Sequence, residues 1–161
     1  MLSTLHTLDA TETVNRIVSV FPPHQQKGVR IQLASVLRAV ISMRLVRASS
    51  STFGRVPATE VMINTPYIRE CITISEKTAL IRDAIAQGTS QYGMQTFDQS
   101  LHLLYTENLI SYEEALNGAT SVDEFKLRLR GIRSTSDQAR EDMERSLTTR
   151  SGDAVTPAEP S

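Results

Sequence analysis

The chain has 161 residues, 40% of them apolar, no Trp and a formal net charge of −1, enough for one compact core with a tail. No apolar run is long enough to span a bilayer, and MLSTLHTLDA lacks a basic leader ahead of an apolar stretch, which reads against membrane insertion and classical secretion. The single cysteine, Cys71, excludes an internal disulfide and a Cys-based zinc site, and the chain reads as cytoplasmic.

The first run, Leu2-Ser3-Thr4-Leu5-His6-Thr7, has the pattern of the end of a buried strand. Asp9 with Glu12 then forms a capping pair for a helix over about 10–20, with Val14, Ile17 and Val18 facing inward. Pro22 and Pro23 end it, and proline suits the first turn of the next helix. The apolar residues Val29, Leu33, Val36, Leu37, Val40 and Ile41 recur at steps of three and four, which predicts the longest helix of the chain. From Leu45 to Ile63 two β-prone runs flank a Ser-rich stretch with Gly54, a hairpin whose second arm, containing Pro57, should be an edge strand or start late.

Helices follow. Thr65 precedes Pro66 for a helix near 66–73, and Ser75 should cap another that stops at Gly88. Thr96 with Gln99, Ser111 with Glu114, and Ser121 with Glu124 have capping-box spacing, and Gly131 should close the last helix. Residues 133–161 are rich in Ser, Thr, Asp, Arg and Pro, with too little apolar surface to offset ordering, and are expected to be disordered, with at most a transient helix over Asp137–Leu147. The fold class expected is therefore α/β but mostly helical.

Charge is unevenly spread. Residues 13–59 contain Arg16, Lys27, Arg30, Arg38, Arg44, Arg47 and Arg55 and no Asp or Glu. Such a block either gathers into a patch for phosphates or acidic surfaces, or is a set of solvated faces. Nucleic-acid binding is disfavoured by the near-zero net charge and by only 5% aromatic residues.

No GxxxxGK[ST], GxSxG, HExxH or CxxC motif is present. His24 and His102 have no neighbouring ligand set and read as packing residues, as do Cys71, Met43, Met62 and Met94. His6 sits at a strand end between Thr4 and Thr7, where an imidazole and two hydroxyls can donate to phosphate oxygens, and a purely structural role fits the same position.

The stretch from Ser3 to Ala10, with Asn15-Arg16-Ile17 and Phe21-Pro22, resembles the histidine box and following helix of secretion-superfamily ATPases. Thr65-Pro66-Tyr67-Ile68-Arg69 and the run from Gly93 to Leu101 resemble the C-terminal signatures of the PilT-like branch, the type IV pilus retraction ATPases. The resemblance runs from Leu2 to about Ile132 and implies the C-terminal part of such a motor. Residues 1–64 would be the end of a RecA-like core with the last strand of its parallel sheet and the hairpin, residues 65–132 a helical C-terminal subdomain, and 133–161 the tail.

It implies a homo-hexamer that uses ATP and Mg in the intact protein to drive pilus retraction, beside an inner-membrane platform protein and without nucleic acid or membrane insertion. It assigns nucleotide sensing to His6, Thr4 and Arg16, and coupling or interface roles to Arg69, Arg30 and Arg38. The phosphate loop and catalytic carboxylates would precede the histidine box, and Met1 falls in the middle of the expected strand. The chain is thus expected to be a C-terminal fragment, a mis-started frame or a degenerate copy, without ATPase activity or cofactor of its own. The alternatives are a non-catalytic interaction module for motor subunits, and part of a pilus-assembly or type II secretion ATPase.

Overall fold

A computed structural model describes residues 2–49 and 54–129. The Ser-rich stretch at 50–53, the stop expected at Gly131 and the tail with its 137–147 stretch lie outside the described residues.

Residues 2–8 form no strand, and Leu2, Leu5 and Leu8 are exposed. This corrects the strand expected there. A strand needs a neighbouring edge to satisfy its backbone groups, and the described residues form one two-stranded sheet that offers none to this segment. Helix α1 (Ala10–Ser19) then begins where the Asp9 carboxylate accepts the Glu12 amide at 2.7 Å. It buries Ala10, Thr13, Val14 and Val18, while Ile17 is half-buried.

Helix α2 (Pro23–Val36) starts on proline, as expected, and is the longest helix among the described residues, but it stops five residues short of Ile41. Strand β1 (Ala39–Arg47) takes Val40 and Ile41 instead. The cause is Asn64. Its Nδ2 donates to the Ala34 and Leu37 carbonyls at 2.9 and 2.7 Å, and its amide donates to the Arg38 carbonyl at 2.9 Å. Carbonyls that a helix end leaves open are satisfied there by a residue far along the chain.

Strand β2 (Arg55–Ile63) pairs antiparallel with β1, from Ala39 opposite Ile63 to Arg47 opposite Arg55. The hairpin therefore begins six residues earlier than its β-prone run predicts. Along β2 the Thr59 and Val61 amides point away from β1, to Ser100 Oγ at 3.0 Å and the Gln95 carbonyl at 2.8 Å. Pro57 belongs to the same outward series, so its missing N–H costs the hairpin nothing.

Helix α3 (Pro66–Thr73) is capped by Thr65, as its sequence suggests. Ser75 does not cap the next element. A 3-10 turn over Ser75–Leu80 leads into α4 (Ile81–Gln87), and the Ser75 hydroxyl donates to Glu76. The short α5 (Thr89–Tyr92) ends on Gly93, whose φ of +67° a residue with a Cβ adopts only under strain.

Helix α6 (Phe97–Thr106) has the full Thr96–Gln99 capping box. Helix α7 (Tyr112–Gly118) has half of one. Ser111 accepts the Glu114 amide, but the Glu114 carboxylate accepts the Arg47 amide instead of closing the box. Helix α8 (Val122–Leu129) completes the described chain.

Two apolar clusters hold these elements. Ala10, Val14, Ala34, Met62, Ile68, Ile72, Ile81 and Ile85 form one among α1 to α4. Val46, Ala58, Phe97, Leu101, Ile110, Ala115 and Phe125 form the other under α6 to α8. The hairpin contributes Met62 to the first and Val46 and Ala58 to the second, so it spans both.

Candidate functional site

Thr4 and His6 are exposed on the irregular N-terminal segment. The end of that segment is tied to the first turns of α1. Thr7 Oγ1 bonds Thr13 Oγ1 at 2.7 Å, and the Leu8 amide donates to Glu12 Oε2 at 2.7 Å. Arg16, one turn on, stands 3.8 Å from Glu12 and is largely solvated, so this pair contributes little.

Arg30 is engaged inside the molecule. Its guanidinium donates to the Ile72 carbonyl at 3.0 Å, Thr78 Oγ1 at 2.9 Å and Asn15 Oδ1 at 3.4 Å, joining α1, α2 and the end of α3. A cation suits the carbonyls of a helix C-terminus. Arg38 and Arg69 are exposed. Among the described residues no hydrogen bond or ion pair joins Thr4, His6 and Arg16 to Arg30, Arg38 or Arg69. The basic block is likewise divided, with Arg30 spent on internal bonds, Arg44 packed 3.9 Å over the Phe97 ring, and Lys27, Arg38, Arg47 and Arg55 exposed.

A second polar group was not anticipated from sequence. Glu60 on β2 is only 5% exposed and accepts the Ala10 amide, the first of α1, at 2.8 Å. Burial pushes its carboxyl above the usual range; the Ala10 hydrogen bond opposes this, Asp9 adds to it, and Arg44 and Arg82 pull it down. Arg82 on α4 pairs with the buried Asp98 at 3.1 Å and stands 4.0 Å from Glu124. The other Asp98 oxygen accepts the Thr120 amide at 2.7 Å.

A cavity of ≈ 30 Å³ among Asp9, Arg44, Glu60, Arg82, Phe97 and Thr120 joins these groups. The signal for Glu60 was in the sequence, since Ala58, Glu60 and Met62 alternate in phase and put a carboxylate on the inward face of its strand.

The cavity has room for about one or two waters, and no group of three or more His, Cys, Asp and Glu that could hold a metal occurs among the described residues.

No family model matches the chain. Over 125 residues, 78% of its length, it is 41% identical to the type IV pilus retractation ATPase PilT of Pseudomonas aeruginosa, of which it covers 35%. It is 39% identical over 115 residues to a twitching motility protein of Neisseria gonorrhoeae, covering 71% of this chain and 30% of the relative. A crystal structure of the pilus retraction motor PilT with bound ADP superposes with a TM-score of 0.62 at 35% identity, over 74% of this chain and 32% of that one. The ATPase DotB of Legionella pneumophila, at 20% identity and a TM-score of 0.55, shares the fold.

The chain thus spans about a third of the length of the relatives it matches. The mostly helical fold with one antiparallel hairpin matches the C-terminal region of PilT, as the resemblance implied. In sequence and in fold, the chain is a PilT-like segment of the secretion ATPase superfamily.

Proposed function

We propose that the intact protein is a hexameric ATPase motor that powers type IV pilus retraction, and that this chain supplies its C-terminal part. The observation that carries this reading is the 35% identity and 0.62 TM-score to a retraction motor solved with ADP. Residues 1–64 then end a RecA-like core and residues 65–132 make the helical subdomain. ATP and Mg bind in the intact protein on a phosphate loop that these 161 residues do not contain. His6 and Thr4, exposed, sense the γ-phosphate together with Arg16 on α1. Arg30 couples α1 and α2 to α3, while Arg38 and Arg69 meet neighbouring subunits or the inner-membrane platform protein.

No helix among the described residues is long and apolar enough to cross a membrane, which suits a position peripheral to the pilus base on the cytoplasmic side. An interaction module without catalysis is the second reading, favoured by the exposed Arg38, Arg47 and Arg55, which make no ion pair among the described residues.

Translating the DNA upstream of the Met1 codon and assaying both products tests the two. An in-frame GxxxxGK[ST] loop, ATP hydrolysis by the longer product and none by the 161-residue chain support the motor. A stop codon directly upstream overturns it in favour of the interaction module.

A further inference from the structure

Glu60 is a carboxylate on the buried side of a strand, and among the described residues no cation lies within ion-pair distance of it. Its carboxylate accepts a hydrogen bond from the first amide of α1, across 50 residues of sequence. That turn of α1 is also where the N-terminal segment is fastened, through Thr7 to Thr13 and Leu8 to Glu12. On the other side, Glu60 shares its cavity with Arg82, which grips Asp98, which in turn holds the Thr120 amide between α7 and α8. Bonds therefore lead from Thr7 and Leu8 through the first turns of α1 to Glu60 on β2, and across the cavity Arg82 begins a second set that ends at the Thr120 amide.

We infer that Glu60 is a positioning residue: its carboxylate sets the place of α1, and through α1 the Thr4–His6 segment, relative to the hairpin. This rests on the nucleotide-sensing role proposed for that segment. A charged acceptor on a helix amide is stronger than a neutral one, and it fixes the turn in a way that an apolar residue of the same volume would not. Burial of the carboxylate opposes its ionisation, so packing alone gives no reason for an acid at this position.

The groups that face Glu60 are Asp9 ahead of α1, Arg44 on β1 and Arg82 on α4, with Asp98 and Glu124 acting through Arg82. The Asp9 and Glu12 carboxylates bond the same turn, so comparison with Glu60→Gln isolates Glu60. The test is amide NMR and hydrogen exchange on the whole chain. In the wild type, the Thr7, Leu8 and Ala10 amides should share a titration with a midpoint above 4.5 that is missing from Glu60→Gln. In Glu60→Ala, the Ala10 and Thr11 amides should exchange about tenfold faster, with the Ser42 and Met62 amides unchanged.

A Glu60-dependent titration confined to Ala10, or equal titrations in wild type and Glu60→Gln, would overturn the assignment. Glu60→Gln keeps both shape and an acceptor oxygen, so it decides the matter if Glu60→Ala does not fold. The readout needs no nucleotide, so it fails or succeeds separately from the motor reading.

Discussion

Asp98 holds two elements with one buried carboxylate, accepting from Arg82 at 3.1 Å and from the Thr120 amide at 2.7 Å. Asp98→Ala leaves the Thr120 amide unpaired and is expected to cost about 2 kcal/mol in urea unfolding. Asp98→Asn, which keeps an acceptor for Thr120, should cost less. Glu60 brings a dependence on pH. Its pKa is raised in the fold by burial, so the folded state binds the proton more tightly than the unfolded chain. Its contribution is then fully present below about 4.5 and is lost as pH rises through the folded value. Unfolding free energy measured across that window should fall with rising pH, and Glu60→Gln should flatten the fall. Asp98 lies within the Gly93–Leu101 signature run, whereas the one sign of Glu60 beforehand is a carboxylate at an inward-facing strand position.

At the scale of elements, the caps and stops were legible where a single turn of chain determines them. Asp9, Thr65 and Thr96 each accept the amide three residues on, as their spacing suggests. Thr96→Ala should lower stability by about 1 kcal/mol, read as a shift in urea midpoint at constant slope. Elements that depend on distant partners were misread. Val36 to Ile41 keep a helical period, but Asn64 closes α2 at Leu37 and β2 pairs from Ala39 onward. Asn64→Ala removes both side-chain bonds to those carbonyls and should cost about 2 kcal/mol, with the first loss of exchange protection at the α2–β1 junction. Glu114 has capping-box spacing yet serves the Arg47 amide, because an edge amide of the hairpin lies within its reach.

For the molecule as a whole, the outer face of the hairpin carries Ile41, Met43 and Leu45, which are 71%, 62% and 54% exposed in alternation along β1. β1 has no second strand neighbour among the described residues. An apolar face beside an open edge favours association. Sedimentation velocity should show the chain self-associating with rising concentration, and Met43→Lys should shift it towards monomer. A chain that stays monomeric at all concentrations would contradict this.

The sequence by itself determined the family, the helical bulk of the fold, the hairpin and most of the caps, because signature runs, periodicity and capping all act over a few residues. Only the tertiary structure decided where α2 yields to β1, that Arg30 turns inward to Ile72 and Thr78, and that Glu60, Arg44 and Arg82 gather around one cavity, with Asp98 held by Arg82. The Leu2–Thr7 run shows the division most plainly. Its pattern is that of a strand, but a strand exists only where another backbone meets its amides and carbonyls, and the described fold brings none to it.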